Sequence, residues 1–182
     1  MPPENVEIQN RFADLQRVAG LDIDIIKDAY KQGMLFDAAT NVSCCLQGEF
    51  DASAVAVFGD TVSALSHATL TNLALYDYST VDRLVVSGDE GFEALKRHLN
   101  KNPSIKRVAI CFNADSYGDK AAVELREGLL KAGYSPENGY HCERQLPTGH
   151  TNFNEYLMSY RAALENGQHY QQENAENIGQ EP

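Results

Sequence analysis

No stretch of the 182-residue chain approaches the about 18 consecutive apolar residues that a membrane-spanning helix needs. The opening residues Met1-Pro2-Pro3-Glu4-Asn5 lack the basic and then apolar order of a secretory signal, so a cytoplasmic protein with no membrane partner is expected. Cysteine is scarce as well. The four, Cys44, Cys45, Cys111 and Cys142, include no Cys-x-x-Cys pair and two are adjacent, which argues against a disulfide framework and for reduced thiols. Zinc would accept the ligand types of Cys44, Cys45, His141 and Cys142, but their spacing fits no zinc knuckle. Positive charge is in short supply: Lys and Arg number 15 against 26 Asp and Glu, a net charge of -11. Non-specific nucleic-acid binding depends on cations that release phosphate counterions, so this balance disfavours nucleic acid as a partner, without closing the question. Lys96-Arg97-His98 and Lys101 with Lys106-Arg107 are the local basic clusters, and a solvated helix face and loop account for both. Gly88, Gly91 and Gly118 belong to no Walker or dinucleotide fingerprint, and no cofactor is expected. His67 and His98 fall in predicted helices and His141 and His150 in loops, with no Ser or Cys nucleophile pattern beside them, so surface or packing roles are expected.

What the chain does have is enough apolar content, 43%, for one proper core. Phe12, Leu15, Val18 and Ala19, then Ile25, Ile26, Ala29 and Tyr30, recur at helical spacing, with Gly20 and Asp22 between the two runs and Gly33 after the second. Residues 1–50 are therefore read as a helical N-terminal segment. Short apolar runs then alternate with helical patterns. Strands are predicted at Ala54–Phe58, Arg83–Ser87, Val108–Phe112 and, more weakly, Tyr140–Glu143. Helices are predicted at Thr61–Leu75, Phe92–Asn100, Asp119–Ala132 and Asn154–Leu164. Such alternation implies an α/β domain over residues 51–164, with a central parallel sheet of about four strands and helices on both faces. Residues 165–182, rich in Gln, Asn and Glu, read as a disordered polar tail.

Open parallel sheets bind ligands at the carboxyl ends of their strands. Those ends carry Gly59 and Asp60, then Asp89 and Glu90, then Asn113, Asp115 and Ser116. Oxygen-rich edges of this kind suit magnesium and phosphoryl transfer, although acids at strand ends also commonly cap the helices that follow.

The order of elements, with Asn113-Ala114-Asp115 as an Asp-x-Asp-like turn, resembles a TOPRIM domain, the nucleotidyl-transfer and hydrolysis module of primases, topoisomerases and small nucleases. More narrowly, it is similar to TOPRIM proteins of bacterial mobile elements in which a small helical domain precedes the TOPRIM fold. The segments that carry the resemblance run from Gly20 to Phe36, from Val57 to Leu70, from Asn102 to Arg107 leading into Asn113-Ala114-Asp115, and from Gly149 to Leu157. The resemblance implies a Rossmann-like TOPRIM fold. It also implies four functional positions, of which three depart from the family. The general acid or base at the end of the first strand is Gly59, the first acid of the Asp-x-Asp turn is Asn113, and the acid of the closing motif is Asn152; Asp115 survives.

Asn keeps an acceptor oxygen but loses the charge that favours magnesium, and Gly moves no proton, a step that typically contributes about 10²–10⁴-fold. The expectation is a non-enzyme, a catalytically degenerate protein that acts as a binding or assembly module in nucleic-acid processing of a mobile element or phage, with a protein partner in that DNA-processing machinery. One alternative is a magnesium-dependent nuclease or nucleotidyl transferase whose site is rewired from Asp115, Asp60, Asp89 and Glu90. The other is an acidic inhibitor of a nucleic-acid-binding partner, with Mg2+ required only by the first of these.

Overall fold

Strand β2 (Ala54–Phe58) is apolar at every position and buried from Val55 to Phe58, so it must be covered on both faces. A computed structural model, which describes residues 3–35, 44–48, 52–86 and 91–178 and the side chains within them from 7 to 167, shows how. Residues Val55 and Val57 face one layer, with Leu84 of β3 (Val81–Val85) and Val108 and Ile110 of β4 (Arg107–Ile110). They pack on Leu95 and Leu99 of α4 (Gly91–Lys101) and Leu125 and Leu129 of α5 (Ser116–Lys131). Ala56 and Phe58 face the opposite layer, built from Leu65 and Ala68 of α3 (Thr61–Leu73) and Phe153 and Leu157 of α6 (Phe153–Ile178). The N-terminal helices α1 (Pro3–Ala19) and α2 (Ile23–Lys31) join this second layer through Ala19, Ile25, Ile26 and Ala29. The two-residue alternation of a strand thus sorts neighbouring apolar residues into two cores.

The sheet has five strands in the order β1-β3-β2-β4-β5, counting β1 (Cys44–Leu46) and β5 (His141–Arg144). The pairs β2–β3, β2–β4 and β4–β5 are parallel, and β1 lies antiparallel on β3. This is a Rossmann-like α/β sheet with a helical segment before it. Among the described residues no helix is long and apolar enough to cross a membrane.

Three sequence expectations are altered. The segment read as helical to residue 50 contains β1, a strand too short to announce itself by alternation. Strand β3 begins two residues earlier than predicted, because Asp82 and Arg83 are buried polar residues and interrupt the apolar signal. Helix α6 runs on to Ile178 rather than ending near Leu164, through residues expected to be a disordered tail. Gln, Glu and Ala are good helix formers, and no proline stops the helix before Ile178.

Arg83 has no exposed surface. Its Nη1 donates to the carbonyls of Tyr78 at 2.5 Å and Val81 at 2.8 Å, Nη2 to Thr71 Oγ1 at 3.1 Å, and Nε to His67 Nδ1 at 3.2 Å. Among the described residues every acceptor is neutral, so the guanidinium is solvated by dipoles instead of a carboxylate, and burial brings it down to about 10. Tyr78 extends the network by donating its hydroxyl to Asp28 of α2 at 2.5 Å, which holds the Asp28 carboxyl below its usual range. Burial, and then the charge of Arg83, push His67 down to about 3, so it is neutral in the fold and offers Nδ1 as an acceptor.

Arg83→Ala should cost at least about 3 kcal/mol in urea denaturation, because it leaves a cavity and several buried acceptors without donors, and Arg83→Met should recover part of the loss by filling space. A second outcome concerns pH. The unfolded chain protonates His67 below about 6.5 while the folded chain does not until about 3, so stability is full above 6.5 and declines as pH falls through that window. His67→Gln should flatten this decline relative to the wild type, measured as denaturation midpoints at several pH values.

Candidate functional site

Strand order reverses between β2 and β4, since the chain leaves β2 for α3 on one face and leaves β4 for α5 on the other. A crevice opens at such a switch point, outside the carboxyl ends of the strands. Gly59 and Asp60 follow β2 there and Asn113, Ala114 and Asp115 follow β4. The two ends touch, because a Cβ on Gly59 would lie 3.9 Å from Phe112 Cδ1. The closing loop joins them through the Ala114 amide, which donates to Thr151 O at 2.7 Å. The structure therefore brings Gly59, Asp60, Asn113, Asp115 and Asn152 to one edge. Asp89 and Glu90 lie outside the described residues.

Three polar side chains at this edge, Asp60, Asp115 and Asn152, cap the helices that follow them. Asp60 is the N-cap of α3 and accepts from Ser63 N–H at 2.7 Å. Asp115 is the N-cap of α5 and accepts from Gly118 N–H at 2.7 Å. Asn152 Oδ1 accepts from Glu155 N–H at 2.9 Å at the start of α6, and the Glu155 carboxylate reaches back to Asn152 Nδ2 at 3.1 Å and Thr151 N–H at 3.0 Å. This resembles a capping box shifted by one residue on its return bond, and Asn152 is among the residue types that cap helices well.

The turn itself is held by a cation that the sequence reading did not single out. Arg144, at the end of β5, directs Nη1 to the carbonyls of Ile110 at 3.1 Å and Phe112 at 2.6 Å, and Nη2 to Asn113 O at 2.7 Å and Asp119 Oδ1 at 3.3 Å. Its Nε is buried and has no hydrogen-bond partner among the described residues. Parallel pairing makes this possible, since Ile110 stands opposite Arg144 in the β4–β5 register. Gly118 completes the turn: a Cβ there would lie 2.1 Å from Asn113 O, so no other residue fits without moving the backbone. A guanidinium already neutralises the carbonyl dipoles around Asn113, Gly59 supplies no ligand, and the Asp60 and Asp115 carboxylates each hold a helix terminus. Among the described residues no group of three His, Cys, Asp or Glu ligand atoms converges at this edge.

Beside the turn, Ala114, Leu146, Pro147, Thr148, His150 and Glu155 line an open cleft of about 600 Å³. His150 stacks on Tyr156 with ring centroids 5.4 Å apart, and Tyr156 meets Tyr160 edge-on at 6.5 Å. Tyr117, two residues past Asp115, is 81% exposed. The thiols offer no nucleophile: burial raises Cys44 and Cys142 and pushes Cys45 and Cys111 up to about 12. Two of the histidines expected at the surface or in packing are engaged inside the fold, His67 on Arg83 and His98 on Asp82 at 2.8 Å. His98 is thus removed from the basic cluster read in the sequence. The signal that could have found Arg144 is its place in an exposed-looking strand, Cys142-Glu143-Arg144, directly before the loop; nothing in its spacing marks it.

No family model and no curated protein sequence matches the chain. Among solved structures it is similar to the primase fragment of the bacteriophage T7 primase-helicase protein, at 18% identity and a TM-score of 0.38, with 62% of this chain and 43% of that chain covered. The chain thus spans less than half the length of that structure, and at this distance the likeness bears on no functional detail.

The caps make a direct prediction. Asp115→Ala should cost about 1 kcal/mol in chemical denaturation while Asp115→Asn costs far less, since Asn caps equally well. Arg144→Ala should cost more, roughly 2 kcal/mol, because three carbonyls lose a charged donor, and Arg144→Lys should restore only part of it.

Proposed function

We propose that the chain is a TOPRIM-like module that has lost phosphoryl-transfer chemistry and serves as a binding or assembly component in the nucleic-acid processing of a mobile element or phage. The reading rests on the sequence resemblance together with one observation: the edge where the family's acids would stand carries a built-in guanidinium, Arg144, and carboxylates committed to helix caps. Acids that hold helix caps and a guanidinium that holds the turn serve the fold first, and the edge they frame can present a shaped, partly apolar surface. The cleft beside Ala114, the His150–Tyr156–Tyr160 ring series and exposed Tyr117 supply that surface, and aromatic side chains of this kind are enriched where proteins dock. The net charge of -11 favours a protein partner, one with a basic face, over a phosphate backbone.

Magnesium titration followed by NMR tests the loss of chemistry. The native protein should show no saturable site. Gly59→Glu and Asn113→Asp introduced together should create one, because a side chain at Gly59 meets open space apart from Phe112. Tight native binding that Asp115→Ala abolishes, or metal-dependent cleavage of single-stranded or duplex DNA, would overturn the reading.

A further inference from the structure

Away from the switch point, toward the amino end of β3, three chemically different side chains converge on one spot. Cys45 comes from β1, Asp82 from β3 and His98 from α4, and one ligand atom from each lies within 4.8 Å of the others. Their placement follows from elementary geometry. Cys45 stands opposite Leu84 in the antiparallel pair, so Asp82, two residues earlier on β3, shares its face of the sheet, and α4 covers that face with His98 turned inward. Cys44 points to the other face, where it packs against the core of α2 and α3. The adjacent cysteines therefore cannot act together, and His141 and Cys142 sit on β5, at the far edge of the sheet from β1. A zinc site drawn from those four residues is excluded, while Cys45 acquires two partners that spacing in the sequence does not indicate.

We propose that Cys45, Asp82 and His98 form a three-ligand binding site for zinc(II), with the fourth position left to water. A thiolate, an imidazole and a carboxylate are the ligand set that zinc and cobalt(II) take, whereas magnesium and calcium want oxygen alone. Bond lengths of about 2.0–2.3 Å put the ligand atoms of a tetrahedral zinc about 3.3–3.5 Å apart, within reach of small rotations from the present separations. His98 Nε2 and Asp82 Oδ2 stand 2.8 Å apart with a proton between them, so the ion displaces that proton and the Cys45 thiol proton, both to solvent, and spreads the two atoms slightly. Outer support is already in place: Asp82 Oδ1 accepts from Gly48 N–H at 2.8 Å, which orients the carboxylate from its far side. Asp82 is 5% exposed and His98 8%, so the ligands are held by packing instead of being recruited from solvent. Binding would tie β1, a three-residue edge strand, to both β3 and α4. The site is distinct from the strand-end cleft and is independent of the function proposed for it.

The experiment uses the full chain, reduced and stripped of metal with EDTA, titrated with cobalt(II). A thiolate-to-cobalt charge-transfer band in the near ultraviolet together with intense visible bands of a tetrahedral ion is the expected result, both displaced by one equivalent of zinc. Cys45→Ser, which is nearly isosteric, should abolish the charge-transfer band and weaken zinc at least tenfold, while Cys44→Ser should leave both unchanged. Circular dichroism of Cys45→Ser guards against loss of folding, and a zinc-dependent rise in the thermal midpoint of the wild type, absent in Cys45→Ser, gives a second readout. No tetrahedral cobalt spectrum in the wild type, or a spectrum that survives Cys45→Ser, would overturn the proposal.

Discussion

A positive charge held inside the protein, with no negative hydrogen-bond partner among the described residues, constrains the whole of this fold. The Arg83 guanidinium is fully buried on a central strand, and every hydrogen bond described for it ends on a neutral acceptor. An unpaired buried charge is costly unless its donors are satisfied, so the groups around it cannot move independently. The 3-10 turn Tyr78–Thr80 must present its carbonyl, α3 must present Thr71 and a neutral His67, and β3 must be in register to bring Arg83 beneath them. From Tyr78 the constraint passes to Asp28 and hence to α2, which fixes the helical N-terminal segment on the α/β body. The same segment is tied from the other side, where Asn154 of α6 donates to Ala19 O at 2.7 Å and Arg161 to Gly20 O at 2.7 Å. The helices before the sheet are therefore part of its covering layer and share its core.

A second cation governs the strand ends, and it clarifies what the nearby carboxylates are for. A carboxylate at the first turn of a helix either satisfies backbone N–H groups or ligates a metal placed over the turn; the same lone pairs do not serve both well. Asp60 and Asp115 are committed to the first use at 2.7 Å each. Arg144 adds a cation on the carbonyls of Phe112 and Asn113, paired with the Asp119 carboxylate at 3.3 Å, so the turn is held by charge supplied from within the chain.

Much of this was legible in the sequence because apolar periodicity reports burial on both faces. The runs Ala54–Phe58 and Val108–Ile110 and the helices between them stood out for that reason, and so did the placing of Gly59, Asp60, Asn113 and Asp115 at the strand ends; Asn152 came only from the resemblance. What stayed hidden is equally specific. The edge strand Cys44–Leu46 is too short for a period of two to register. Strand β3 carries Asp82 and Arg83, whose burial depends on partners from α4, α3 and a turn far away in the chain. Arg144 acts through main-chain carbonyls, and a residue that binds backbone leaves no complementary side chain to be noticed. The same holds for Cys45, Asp82 and His98, which only tertiary packing assembles.

The shape of this edge does not rest on the side chains at positions 59 and 113. The turn after β4 is held by Arg144 on the Asn113 carbonyl, by the Ala114 amide on Thr151, and by the contact of Gly118 with Asn113 O. None of these involves the side chain at position 113, so Asp or Asn there would leave these three contacts in place. Gly59 is similar, since its nearest neighbour would be a ring carbon 3.9 Å from any added Cβ. At 115 and 152, by contrast, the side chains cap helices, and there the residues present are those that cap well, Asp and Asn. Removing the side chain at 115 would therefore cost stability, while exchanging Asp for Asn there would cost little.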